Sequence, residues 1–248
     1  MSKLSVQQDN AGHRERLRER FAQGGLEGFH GYEVIEFLLT LAHPRGDCKV
    51  IAKQAIKEFG SVRGVLDASD GQLMGIEGIG DITASTIKFA RALIDWYYHE
   101  QAFGKDAPLG CSRAVVDYLR VSMGALDRER FSMVYLDAQN QPSGVEKLFE
   151  GTLTSSVVYP REVFKAALAH KAKSVIFVHN HPSGCVDPSE QDRQITRDLV
   201  LASSYMDVTV LDHIIVGADS HYSFADHGLV QEYRRQAAEF QESRRRLS

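Results

Sequence analysis

The sequence lacks the features that mark several common classes of protein. It has 248 residues and only three cysteines, at positions 48, 111 and 185. No apolar run approaches the roughly 18 residues that a membrane span needs, and the first ten residues contain no apolar stretch of signal-peptide length. Three scattered cysteines exclude a disulfide framework and a zinc knuckle of the CxxC type. We therefore expect a reduced, cytoplasmic protein with no membrane partner.

Strong charge of either sign is also missing. The formal net charge is −4 and the pI about 6.2, so bulk charge does not favour nucleic-acid binding and only a local basic patch could support it. Hydrophobic residues make up 43% of the chain, which is enough for one large or two modest domain cores.

Hydrophobic spacing divides the chain near residue 103. Residues 1–102 carry apolar residues at helical spacing throughout, which predicts an all-α domain. Residues 104–110 are short and rich in Gly and Pro, as is typical of a linker. From residue 103 to 230, strand patterns alternate with helical ones, which predicts a three-layer α/β domain. Residues 231–248 form a charged tail, and their pattern leaves a helix and disorder both open.

The residues most informative about chemistry lie between positions 179 and 192. His179 ends a short, nearly all-apolar run over 174–179 that is typical of a buried strand, and His181 follows two positions later, so both imidazoles are expected on one face. Ser189 then opens a predicted helix whose first turn carries Asp192. Two imidazoles and one carboxylate that leave a fourth position for water are the ligands of a catalytic zinc site.

Simpler interpretations of these residues remain open. An isolated His-x-His pair more often serves no metal, and imidazole with carboxylate also suits iron or manganese. Ser189 is expected to cap the helix, with Asp192 completing a capping box, and this role is compatible with metal binding. Cys185 lies in the same loop, but a fourth protein ligand would close the site to water, so we leave it out of the ligand set.

The pattern H-x-H-x(7)-S-x-x-D, formed by His179, His181, Ser189 and Asp192, resembles the JAMM/MPN+ motif. The flanking sequences resemble the RadC family along the whole second domain. These flanks are Gly151-Thr-Leu-Thr-Ser-Ser, Pro160-Arg-Glu162, His179-Asn-His-Pro-Ser-Gly184, Pro188-Ser189 and Leu211-Asp-His-Ile-Ile-Val-Gly217.

The resemblance implies a deaminase-like α/β/α JAMM fold and a zinc-dependent hydrolase. His179, His181 and Asp192 would then bind one zinc ion with its water, and Ser189 would donate to an oxyanion. The substrate would be an unidentified amide, in a peptide or a protein.

Motifs of three other enzyme classes are missing from the sequence. The chain does not combine H-x-E with P-C-x-x-C, as a zinc deaminase does. It also has neither the H-E-x-x-H motif of metallopeptidases nor the G-x-S-x-G elbow of serine hydrolases.

The family also places a glutamate, the general acid and base, ahead of the first strand. Glu129 stands at that position and is our assignment. Glu162 is the alternative, although at the first turn of a helix it also suits the helix dipole.

The Asp212-His213 pair lies in a later predicted strand, where His213 could either hydrogen-bond a metal ligand or be a structural histidine.

A second motif lies in the first domain. The sequence around Gly78-Ile79-Gly80 resembles a helix–hairpin–helix, whose glycines let a phosphate approach the start of the following helix. Asp81 occupies the turn where a neutral or basic residue would help, and only Lys88 and Arg91 follow. DNA binding by this hairpin and a packing hairpin without DNA affinity both remain open. The alternatives to a hydrolase are therefore a non-hydrolytic, DNA-binding repair or recombination factor and a metal-dependent nuclease.

Overall fold

The structure, a computed structural model, describes residues 3–43, 46–104, 112–151 and 158–247. It divides into two compact units, residues 1–94 and 95–248. Most of the predicted linker and residues 152–156 of the Gly151 motif lie outside the described residues. Among those described, no helix combines the length and the apolar character required to cross a bilayer.

The first unit is built from helices, as the hydrophobic spacing predicts. The helices are α1 (Lys3–Gly24), α2 (Gly31–Ala42), α3 (Cys48–Phe59), α4 (Val62–Asp67), α5 (Asp70–Met74) and α6 (Asp81–Phe103), the last of which continues into the second unit. Gly60 ends α3 in the left-handed conformation, with φ of 78°, so the predicted glycine cap is confirmed.

The hairpin between α5 and α6 is held by its apolar residues. Ile76 and Ile79 are buried in the core of the first unit. Gly78 has φ of +92°, and a Cβ at this position would come within 2.7 Å of the Ile51 side chain. Glycine is therefore favoured here by the backbone conformation, and a larger residue would also require the Ile51 side chain to move.

The two cations that follow the hairpin are engaged within the unit. The Lys88 ammonium donates to the carbonyl oxygen of Ala68 at 2.9 Å, and the Arg91 guanidinium pairs with Asp67 at 2.6 Å. Both groups therefore stabilise the end of α4. A phosphate at the turn would meet backbone N–H groups and the carboxylate of Asp81, and DNA binding stays a prediction.

The second unit combines one sheet with helices on both faces. Its elements are α7 (Ser112–Met123), β1 (Arg130–Leu136), β2 (Pro142–Glu150), α8 (Pro160–Ala169), β3 (Ser174–Asn180), α9 (Glu190–Ser203), β4 (Thr209–Val216), β5 (His221–Ser223) and α10 (Leu229–Leu247). The strand order is β2-β1-β3-β4-β5. Among the strands that the described residues form, β3 and β4 run parallel and the other neighbouring pairs are antiparallel.

The helices make this unit a three-layer α/β/α domain, which confirms the predicted fold class. On one face of the sheet, α7 buries Val115 and Leu119 against β3 and β4. On the other face, α8, α9 and α10 cover a core that includes Phe131 and Phe177. The charged tail left open by the sequence forms most of the helix α10, whose Tyr233 packs into this core.

Candidate metal centre

The end of β3 delivers the first histidine. Along this strand Val175 and Phe177 face the core under α8 and α9, while Val178 faces α7. Since side chains alternate along a strand, His179 points toward α9, and its side chain is fully buried. Asn180 is the last strand residue and points the opposite way.

The start of α9 delivers the carboxylate. Ser189 is the N-cap of this helix, and its hydroxyl accepts the backbone N–H of Asp192 at 3.1 Å. In return the Asp192 carboxylate accepts the backbone N–H of Ser189 at 2.8 Å. This reciprocal pair is a capping box, which confirms the predicted local role of both residues. The box orders Asp192 on the side of the helix that faces β3.

The three predicted ligands meet at one point. The Nε2 atoms of His179 and His181 are 3.0 Å apart. Asp192 places one carboxylate oxygen 3.1 Å from His179 Nε2 and the other 3.4 Å from His181 Nε2. Among the described residues, these three form a group of side chains that could hold a metal ion, with ligand atoms within 4.8 Å of one another.

The far nitrogen of each imidazole is also engaged. His181 Nδ1 lies 2.6 Å from the carbonyl oxygen of Cys185, so this nitrogen must carry a hydrogen and donate it. His179 Nδ1 lies 2.8 Å from Nε2 of His213. Cys185 therefore contributes its backbone carbonyl oxygen, which accepts the hydrogen bond from His181. Its thiol sulfur, Sγ, lies 3.7 Å from a carboxylate oxygen of Asp187.

The electrostatics of the cluster suit a cation. Burial alone would raise the pKa of Asp192, but hydrogen bonds from His179, His181 and Ser189 outweigh it and hold the pKa far below its ordinary value. The hydrogen bond to Asp192 raises the pKa of His181. Burial holds the pKa of His213 well below its ordinary value, so this imidazole is neutral.

The donor set fits zinc. Because Nδ1 of His181 donates to a carbonyl, the neutral form of this imidazole offers the lone pair of Nε2 to the centre of the cluster, 3.4 Å from a carboxylate oxygen of Asp192. Acceptors this close repel one another unless a positive charge lies between them. A proton supplies that charge in the metal-free protein, and a zinc ion would replace it, since zinc binds neutral imidazole and ionised carboxylate.

The structure places the two glutamate candidates differently. Glu129 immediately precedes β1, whose Phe131 pairs in register with His179 of β3. The negative charge of Glu129 contributes to the raised pKa of His181. Glu162 stands in the first turn of α8, where its carboxylate lies 3.0 Å from Arg161 and 3.7 Å from Lys165.

Asn180 anchors the loop that carries Glu129. Its side-chain oxygen accepts the backbone N–H of Arg130 at 2.8 Å, and its amide donates to the carbonyl of Arg128 at 3.0 Å. The carbonyl of Glu129 itself accepts the backbone N–H of Gly151 at 2.8 Å. Asn180 was missed by the sequence reasoning, although its position between the two histidines puts it on the opposite face of the same strand.

Ser189 has its hydroxyl directed at the carboxylate. Its Oγ lies 2.6 Å from a carboxylate oxygen of Asp192, to which it donates. Donation to an oxyanion would therefore require this hydrogen to turn away from Asp192. The predicted oxyanion role of Ser189 stays a prediction, and its capping role is the one that the contacts describe.

Comparison with known proteins finds similarity along most of the chain. The family model described as a RadC-like JAB domain matches residues 109–229. The UPF0758 protein of Fusobacterium nucleatum is 35% identical over 230 residues, which cover 90% of this chain and 99% of that protein. UPF0758 proteins of Pseudoalteromonas translucida and Leptothrix cholodnii are 37% and 38% identical, over 87% of this chain and 96% of each. The matched range contains the whole candidate metal centre.

Proposed function

The chain belongs to the RadC family, with a RadC-like JAB domain, and from this premise we propose that it is a zinc-dependent hydrolase of amide or isopeptide bonds. Family and fold alone do not establish an activity, so the proposal rests on the site. The observation that carries it is the convergence of two histidine nitrogens and a buried carboxylate on one point.

The ligand set favours catalysis over a structural role for the metal. Two imidazoles and one carboxylate leave a fourth tetrahedral position free for water or substrate. A nuclease is less well supported, because phosphodiester cleavage commonly uses two metal ions about 4 Å apart. The described residues offer one group of three ligands.

Each residue of the site has a distinct task in this proposal. His179, His181 and Asp192 would hold the zinc ion, and a bound ion would supply a water of lowered pKa and polarise the scissile carbonyl. Glu129 accepts the proton that the water loses and delivers it to the departing amine. Ser189 donates to the oxygen of the carbonyl as negative charge develops there, after its hydroxyl turns from Asp192.

The activity can be tested without knowledge of the natural substrate. The zinc-loaded protein is incubated with a diverse mixture of peptides whose amines have been blocked, including peptides branched through lysine. Hydrolysis of either bond releases a new primary amine, which is tagged and identified by mass spectrometry. We expect new amines with the wild-type protein, because Asp192 completes the ligand set, and only background with the Asp192→Ala variant.

The Asp192→Asn variant is tested beside Asp192→Ala, because the amide keeps the size of the side chain and removes its charge. Both variants are expected to lose activity together, as is the wild-type protein after treatment with a chelator. Equal amounts of new amine from wild-type and Asp192→Ala protein would refute a hydrolytic metal site. A zinc-loaded wild-type protein that releases no amine from either peptide type would also count against amide hydrolysis.

DNA association through the first unit is a second candidate function. It is supported by the turn Gly78-Ile79-Gly80, in which both glycines are exposed ahead of the long helix α6. A backbone phosphate at this point would gain hydrogen bonds and a favourable helix dipole. Since Lys88 and Arg91 are engaged elsewhere, few phosphates would be neutralised and binding would be weak.

We expect non-specific duplex binding with a dissociation constant of about 10⁻⁴–10⁻⁶ M at physiological salt, falling in strength as salt rises. Asp81→Asn should tighten binding because it removes a negative charge from the turn, while Asp192→Ala should leave it unchanged. Fluorescence anisotropy at several salt concentrations measures both effects. A flat titration at low salt would eliminate the hypothesis.

A further inference from the structure

His213 is a histidine in an apolar setting. It lies on β4, in register with Phe177 of β3, and its side chain is only 1% exposed. Rings of Phe131, Phe177 and Phe224 surround it, with centroids 5.0–6.1 Å away. A charged imidazolium is costly in such surroundings, so His213 is neutral and carries one ring hydrogen.

Both ring nitrogens of His213 nevertheless have polar partners. Its Nε2 lies 2.8 Å from Nδ1 of His179. Its Nδ1 lies 2.6 Å from the hydroxyl oxygen of Thr196, a fully buried residue of α9. The Thr196 hydroxyl in turn lies 2.5 Å from the backbone carbonyl oxygen of Asp192, one helical turn earlier.

The hydrogens along this chain can be placed one after another. A carbonyl oxygen only accepts, so the single hydroxyl hydrogen of Thr196 must point to Asp192. The Thr196 oxygen is then an acceptor toward His213, which requires the His213 hydrogen on Nδ1. The Nε2 atom of His213 therefore carries no hydrogen and accepts a hydrogen bond from Nδ1–H of His179. In the neutral form of His179, Nε2 is therefore the nitrogen without a hydrogen, and it lies 3.1 Å from a carboxylate oxygen of Asp192.

We propose that His213 is a positioning residue of the metal centre, which together with Thr196 selects the tautomer of His179 that presents Nε2 to a divalent ion. The inference rests on the proposed metal site, and it assigns to His213 and Thr196 a task that the ligand pattern does not contain. Hydrogen-bond partners of ligating histidines commonly set ring orientation and basicity in this way.

The two ligand histidines differ in how their tautomers are set. His181 donates to the carbonyl of Cys185, which can act only as an acceptor. His179 donates to an imidazole, which could equally present a hydrogen and reverse the arrangement. Thr196 removes that ambiguity, and because it is anchored to the carbonyl of Asp192, the chain that begins at one ligand ends on the backbone of another.

Four variants separate positioning from packing. His213→Phe keeps a buried ring but removes the acceptor, so we expect zinc affinity to fall about 10–100-fold. His213→Gln places an amide oxygen near the position of Nε2 and should restore most of that loss. Thr196→Val removes the hydroxyl and should weaken zinc binding, whereas Thr196→Ser keeps the hydroxyl and should bind zinc like the wild type.

Zinc affinity is measured by competition with a chromophoric chelator, and the folded state of each variant is checked by circular dichroism. A folded His213→Phe variant with wild-type zinc affinity would overturn the proposal. Equal losses in the Phe and Gln variants would do so as well, since packing and not the acceptor would then be responsible.

The wild-type protein allows a test that does not depend on variants. Nitrogen-15 NMR of the histidine rings, recorded on the metal-free protein at a pH where the imidazoles are neutral, identifies the nitrogen that carries each hydrogen. We expect the hydrogen on Nδ1 in both His179 and His213. A hydrogen on Nε2 of His213 would refute the inference.

These readouts are independent of hydrolysis. A protein that binds zinc with the expected tautomers but releases no amine from peptides would contradict the proposed activity and leave the role of His213 intact. Hydrolytic activity in a protein whose His213 carries its hydrogen on Nε2 would refute the role of His213 and leave the proposed activity intact.

Discussion

Zinc bound by the purified protein is expected to fall from about one ion per chain to a trace when His179 and His181 are both replaced by alanine. The two substitutions remove both imidazole nitrogens of the cluster and leave Asp192 as its only ligand. A single carboxylate cannot hold zinc against water with useful affinity, because stable sites use three or four protein ligands. Elemental analysis of both proteins after identical zinc loading and buffer exchange measures the difference.

A matched control changes two other histidines of the same unit. His170 and His221 are exposed and lie outside the ligand group, so their double alanine variant should retain about one zinc ion per chain. The pair of variants separates specific binding at the centre from adventitious binding by surface imidazoles. Retention of wild-type zinc after loss of His179 and His181 would overturn the metal site and, with it, the hydrolase proposal.

Replacement of Glu129 by glutamine is expected to slow amide hydrolysis about 10²–10⁴-fold while zinc content stays unchanged. This range is typical for the loss of a general acid and base. The amide has nearly the shape of the carboxylate but cannot accept a proton at neutral pH, so the loop anchored by Asn180 should keep its conformation. Rates on a peptide identified from the blocked mixture, together with zinc analysis of the same samples, test both parts.

The Glu162→Gln variant is the control for this experiment, because it makes the same chemical change at the other candidate. Glu162 is paired with surface cations at the start of α8, so its replacement should leave the rate within a few-fold of wild type. The opposite pattern, with Glu162→Gln inactive and Glu129→Gln active, would reassign the proton-transfer role. If both variants retained the wild-type rate, neither glutamate would be the base.

Much of the candidate centre follows from short-range rules. The spacing from Ser189 to Asp192 predicts a capping box, and the structure contains it. Strand alternation and a short loop bring His179, His181 and Asp192 together within fourteen positions of the chain, so their meeting needs few long-range contacts. Local rules also predict Gly60 at the end of α3 and Pro160 in the first turn of α8, and the structure has both.

Contacts between distant segments escape such rules. His213 reaches His179 across 34 positions because β3 and β4 lie side by side in the sheet. Asn180 reaches Arg130 across 50 positions because β1 pairs with β3. Strand pairing depends on how a whole sheet packs, and the residues themselves carry no local signal for it.

The amino-acid sequence alone therefore determined the ligand types, their order and the helix start that orients the carboxylate, because those depend on spacing and on backbone hydrogen bonds within a few residues. Only the tertiary structure decided which histidine nitrogen faces the centre, that Asn180 anchors the backbone on both sides of Glu129, and that Lys88 and Arg91 are engaged within the first unit. Each of these depends on a partner brought near by packing, and hydrogen bonds and ion pairs act only over a few ångströms.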